Sequence, residues 1–185
     1  ELDQLTLDDP NVFEVFTQGN TTAVFQSEAR GAKELEKKLK PDCFEDVIAL
    51  MALNRPGPLG SGMVDDFIQR KSQQKIKGKG EDAWYFHPKL KPVLESTFGV
   101  MVYQEQVMLV AQILAGYSLG GADLLRRAMG KKDKDEMARQ RAIFVEGAQK
   151  VNGVEADLAT HLVQVVATFG DERFTTSHLA SYAIL

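Results

Sequence analysis

The chain has 185 residues, 44% hydrophobic and 26% charged, with a formal net charge of −4, the ordinary make-up of a globular protein long enough to bury a core. No apolar run reaches the roughly 20 residues of a membrane span, and the acidic start Glu1-Leu2-Asp3 is unlike the basic opening of a signal peptide. The single cysteine, Cys43, excludes an internal disulfide and a cysteine-based zinc cluster, and it fits a reducing cytosol.

In chain order, residues 1–20 carry five acids and no base. Thr21-Thr22-Ala23-Val24-Phe25 is β-rich and predicts a short strand. At 42–53, Asp42 stands three residues before Glu45 in capping-box spacing, and Phe44, Val47, Ile48 and Met51 follow at helical intervals. That helix must stop near Asn54, because Arg55-Pro56-Gly57-Pro58 cannot extend it. Residues 70–82 are polar and basic and read as an exposed flexible loop, and Val100-Met101-Val102-Tyr103 reads as a second short strand. Helices are then expected over about 105–115, stopped by Gly116, and over 119–129, stopped by Gly130. Another starts at Asp133 with Glu136 in capping position, one covers 155–168, and a last begins at Ser177. The fold class is mainly α with a small β element.

Charge is unevenly placed. Residues 126–141 carry seven bases against three acids, and residues 70–80 carry Arg70, Lys71, Lys75, Lys77 and Lys79 with no acid. Such patches, rather than net charge, set where phosphate docks. In Leu125-Arg126-Arg127-Ala128-Met129-Gly130-Lys131-Lys132, two arginines end one helix and two lysines lead into the next. Arginine forks grip phosphate oxygens in pairs and lysine adds point charge. The plainer account is that these bases complement a helix dipole. Arg55-Pro56-Gly57-Pro58-Leu59-Gly60 is a stiff loop carrying an arginine, suited to substrate contact or to turning the chain. Ser177 and His178 open the final helix, where they either meet a ligand or serve as a cap and a surface histidine.

Several enzyme signatures are absent from the sequence. Gly130-Lys131 lacks the first glycine and the hydroxyl residue of a P-loop. His87, His161 and His178 are scattered, without ligand spacing. Asp133-Lys134-Asp135 is explained by capping, and Asp8-Asp9 and Asp65-Asp66 are adjacent pairs that would diverge, so no set of carboxylates converges for two-metal chemistry. No catalytic residue and no metal ligand is assigned in this chain.

Taken together and in order, Thr21–Glu28, Pro41–Asp46, Asn54–Leu59, Ser61–Asp65, Tyr103–Met108 and Gly116–Lys132 resemble the fingers region of the C-family bacterial replicative DNA polymerases, the DNA polymerase III alpha-subunit family. The resemblance is continuous over roughly 5–160. It implies a single fingers-region segment over 1–185 of a longer chain, with 1–60 next to the palm and 61–185 the helical fingers. It also implies a polymerase-beta-like nucleotidyltransferase palm outside this chain, holding Mg2+ on its own aspartates, so that the isolated segment is inactive.

By position, Arg126 and Arg127 resemble the family's arginine pair facing the incoming dNTP, with Lys131 and Lys132 extending the basic surface. Ser177 and His178 resemble the pair near the nucleotide sugar, and Arg55 lies in the family's Arg-Pro-Gly-Pro loop near the cleft. Implied partners are template-primer DNA, dNTP and, through regions outside this chain, other replicase subunits such as the sliding clamp, with no membrane. The sequence departs from the family at Asp171-Glu172-Arg173-Phe174-Thr175-Thr176-Ser177-His178, where the family reads Gly-Tyr-Gly-Phe-Asn-Lys-Ser-His. Thr176 replaces a lysine and two acids are gained. That departure motivates a second class of function, a non-catalytic nucleic-acid or protein binding module that keeps the fingers fold.

Overall fold

The structure, a computed structural model, describes residues 6–78, 80–131, 133–168 and 176–184, and side chains at all of these except 56, 57, 168 and 177. The described residues are mainly helical and contain no strand. They form two compact units. One draws on the stretches Glu1–Val64 and Phe174–Leu185, the other on Asp65–Arg173.

In the first unit, α1 (Pro10–Gln18) starts where Asp9 caps it, its carboxylate accepting from the Asn11 N–H at 2.9 Å, with proline at the first helical position. It ends at Gly19 with φ 67°, a left-handed closure that glycine adopts without strain. α2 (Arg30–Leu39) packs on α1, burying Ala32, Leu35 and Leu39 while its lysines stay outside. α3 (Phe44–Leu53) is buried from Asp46 to Leu53, and α2 and α11 (Thr176–Ile184) pack against it. The expected capping box of Asp42 and Glu45 does not form, because the helix starts one residue later, with Cys43 at its N-cap and no side-chain hydrogen bond to the cap. Asp46 rather than Glu45 reaches back, accepting from the Asp42 N–H at 3.1 Å.

Residues 21–25 form turns instead of the expected strand. Ala23 and Gln26 take positive φ of 66° and 63°. The Thr21 carbonyl accepts from the Val24 N–H at 3.1 Å and the Val24 carbonyl from the Ser27 N–H at 3.0 Å, so local turns use backbone that a strand would have paired, and buried Thr21 lies with its Oγ1 2.8 Å from the Ser27 carbonyl and 2.7 Å from Glu36 Oε2. The stiff loop after α3 is itself helical, a short α4 (Pro56–Gly60) closed by the Ser61 hydroxyl donating to the Pro58 carbonyl at 3.0 Å.

The second unit takes all but the first two residues of α5 (Met63–Lys77), which overturns the flexible loop expected at 70–82. Phe67 and Lys71, one turn apart, are both buried, and lysine and glutamine are good helix formers, so the polar run is the solvated side of a helix. Short turns follow, with α6 (Lys91–Leu94) among them. Residues 100–103 are unpaired with any strand: Gln106 Oε1 accepts from the Val102 and Tyr103 N–H groups at 2.8 and 3.0 Å, and Thr97 Oγ1 donates to the Val100 carbonyl at 2.6 Å. α7 (Gln104–Ala115) ends at Gly116 as expected and packs on α8 (Leu119–Lys131) and α9 (Lys134–Asn152), which in turn packs on α10 (Ala156–Thr168). α7 and α9 approach so closely that a Cβ on Gly147 would overlap the Ala115 carbonyl.

Candidate functional site

α8 is positioned by its apolar side. Ala122, Leu125, Ala128 and Met129 are buried, and the Ser118 hydroxyl accepts from the Gly121 N–H at 3.1 Å where the helix begins. Asp123, Arg126 and Arg127 lie off that side, one turn apart, so helical spacing alone brings them together. Asp123 Oδ1 accepts from Arg126 Nε at 2.9 Å and Nη2 at 2.7 Å, and its Oδ2 lies 2.7 Å from Arg127 Nε. The Arg126 hydrogen bond, reinforced by both guanidinium charges, holds the Asp123 carboxyl below its ordinary pKa. Arg127 is the more open of the two, its side chain 64% exposed against 32% for Arg126.

The expected stop at Gly130 does not occur. The helix runs through it to exposed Lys131. Lys132 lies outside the described residues. α9 then starts from Asp133, whose carboxylate accepts from the Glu136 N–H at 3.0 Å, as the spacing predicts. Glu136 is held by Arg139 at 2.9 Å and by Gln140 Nε2 at 2.8 Å, so the acids of this turn serve the helix start. The Tyr117 hydroxyl lies 3.0 Å from Gln140 Oε1, fixing the entry to α8 against α9. Burial, with the Glu136 charge adding to it, pushes that phenol up to about 12.

The second basic run is largely absorbed by packing. Arg70 donates to the Phe98 carbonyl at 3.3 Å, pairs with Asp66 at 3.4 Å and sits 6.0 Å from the centre of the Trp84 ring. Lys71 is buried, and Lys77 pairs with Glu81.

Arg55 and His178 belong to the first unit, Arg126, Arg127 and Lys131 to the second. Arg55 is the half-buried residue before Pro56, in extended backbone at φ −144°, and its carbonyl accepts from the Leu59 N–H at 3.0 Å. His178 is half-buried in α11, which begins one residue before the expected Ser177, and its ring meets the Tyr182 ring edge-on at 4.8 Å. Tyr182 in turn lies 5.0 Å from Phe25. The Ser177 side chain and residues 171–175 are outside the described set.

Asp42, Cys43 and Asp46 bring their ligand atoms within 4.8 Å of one another. They do not suit Mg2+, which demands hard oxygen ligands in octahedral array. Burial, with Asp46 beside it, pushes the Cys43 thiol up to about 11, and Asp46 already accepts from the Asp42 N–H. Asp123 is the residue of this site that sequence reading missed, although its signal was present as an acid three and four residues before two arginines.

Among the described residues no helix is long and apolar enough to cross a membrane. The family model of the bacterial DNA polymerase III alpha subunit finger domain matches residues 1–152. The chain is 56% identical over 181 residues to the DNA polymerase III subunit alpha of Haemophilus influenzae, covering 98% of this chain and 15% of that protein. It is 55% identical over 181 residues to that of Escherichia coli K12, with the same coverage. Against that of Vibrio cholerae it is 54% identical over 184 residues, 100% of this chain and 16% of the relative. The chain thus spans about 15% of the length of the curated relatives it matches. With its ordered segments, helical architecture and this agreement, it belongs to the bacterial DNA polymerase III alpha subunit finger-domain family.

Proposed function

We propose that this chain is the substrate-holding fingers part of a DNA-directed DNA polymerase of bacterial chromosomal replication, acting in the cytoplasm on template-primer DNA and dNTPs. Arg126 and Arg127 receive the triphosphate, and Lys131 and Lys132 extend the basic surface. Arg55 works at the edge of the cleft, and Ser177 and His178 near the nucleotide sugar. Mg2+ is held by carboxylates outside this chain, and contacts with other replicase subunits such as the sliding clamp also lie outside it.

The observation that carries this reading is the α8 arginine pair. Two adjacent guanidiniums, both fixed to one carboxylate, stand at the basic end of a helix in a chain of the finger-domain family. Fixed cations suit phosphoryl transfer, whose barrier falls mainly through positioning and charge neutralisation. Replacing Arg126 and Arg127 by alanine in the full-length polymerase is expected to raise the dNTP KM or lower kcat by at least about tenfold, the scale of a lost charge-assisted contact. Unchanged steady-state kinetics in primer extension would remove the two arginines from the nucleotide site.

A further inference from the structure

Asp123 meets both arginines by their inner edges. It takes Arg126 at Nε and Nη2 and Arg127 at Nε, and among the described residues nothing engages Arg126 Nη1 or either terminal nitrogen of Arg127. A carboxylate that merely competed with phosphate would occupy the terminal fork, the part of a guanidinium that matches phosphate oxygens in pairs. Asp123 leaves most of that fork open. Arginine is long and rich in rotamers, and an exposed one such as Arg127 has little else to hold it. Its acid partner, by contrast, is itself only 30% exposed and stands on a helix anchored by four buried apolar residues.

We infer that Asp123 is a positioning residue, one carboxylate that aims the terminal nitrogens of Arg126 and Arg127 together at an incoming triphosphate. The inference rests on the nucleotide reading of those two arginines. Asp123 touches no substrate. It acts by keeping two forks in register before substrate arrives, so less freedom is lost on binding. Charge alone argues the other way. The trio carries a net +1 with Asp123 ionised and +2 without it, so a purely electrostatic account has removal of Asp123 tighten triphosphate binding. The two accounts therefore differ in sign.

The test uses the full-length polymerase and steady-state primer extension at fixed ionic strength. D123N, nearly isosteric, is expected to raise the dNTP KM roughly fivefold to tenfold, the scale of one charge-assisted hydrogen bond, with a smaller change in kcat. D123E, which restores the charge one methylene further out, should recover part of the loss. The decisive measurement is a cycle: in an R126A/R127A background D123N should have no further effect on KM, because nothing is left to aim.

An unchanged or lowered KM in D123N, or a rise that adds in full to that of the double arginine variant, would overturn the positioning role. If D123N lowers the thermal midpoint by many degrees, the cycle is run with D123E, and the same additivity decides. Failure of the nucleotide reading looks different, since R126A/R127A would then leave both KM and kcat where they were.

Discussion

Gln106 donates to Thr97 Oγ1 at 2.8 Å while its own Oε1 accepts from two backbone N–H groups, at Val102 and Tyr103. One buried amide thereby ties the start of α7 to the turn before it, and its Nε2 also donates to the Val93 carbonyl at 3.2 Å. Gln106→Ala leaves buried donors and acceptors unpaired on both sides and should cost about 3 kcal/mol of stability. Chemical denaturation of the chain checks it. A loss below about 1 kcal/mol would mean that water replaces the amide.

Gly147→Ala places a methyl group against the Ala115 carbonyl, where helix backbones touch. Helix propensity favours alanine by roughly 1 kcal/mol, so propensity alone predicts stabilisation. Overlap with backbone cannot be relieved by a rotamer change, and the expected result is a net loss of about 1–3 kcal/mol. A thermal midpoint above that of the parent chain would contradict the close approach.

Glu36 supplies a pH dependence. It is fully buried on α2, and that burial raises its carboxyl above the ordinary value against the opposing pull of Thr21, Ser27, Lys33 and Lys37. Thr21 has one hydroxyl proton and two acceptors in reach, Ser27 O and Glu36 Oε2. Between the ordinary and the raised value the folded chain binds more protons than the unfolded one, so stability falls as pH rises through that window. Thermal midpoints from about pH 4 to 8 should show this slope in the parent and a flatter one in Glu36→Gln. Superimposable profiles would exclude Glu36 as its source.

Tyr117→Phe removes the hydroxyl that reaches Gln140 and is expected to cost about 1 kcal/mol. The phenol is raised from its ordinary value to about 12, so its contribution is complete below the ordinary value and disappears as pH climbs through about 12. The variant should accordingly lose less stability than the parent under alkaline conditions, measured by thermal unfolding at increasing pH.

Much of the second unit is legible as sequence, because its helix ends are written in short-range chemistry. Asp133 with Glu136, and Gly116 at φ 69°, do locally what their residue types favour. Gly130 misleads for the complementary reason: glycine permits a stop but does not enforce one. The β-rich pentad at 21–25 and the tetrad at 100–103 carry strand propensity, yet local turns take the backbone of the first, and Gln106 and Thr97, three or four residues away, take the backbone groups of the second, a competition that strand propensity does not reveal. α2 hides its buried Ala32, Leu35 and Leu39 among lysines and glutamates, and polar 70–77 conceals a helix in the same way. In the candidate site the arginine pair stands out by charge. Asp123 becomes visible only once residues 123 to 127 are known to be one helical turn.

The order of elements in the first unit also governs when it can form. α3 lies before Val64 and its partner α11 comes after Arg173, with the whole second unit between them in the chain. During synthesis the contiguous second unit has all its helices before α11 emerges, so it is free to fold first, whereas α3, buried from Asp46 to Leu53, lacks one of its packing partners until α11 follows. Closing that long loop costs entropy that grows only slowly with its length, so the arrangement burdens the rate of folding more than the final stability. A nascent chain from which α11 has not yet emerged therefore holds α3 without one of its packing partners, which makes the first unit the later of the two to be completed while the chain is being made.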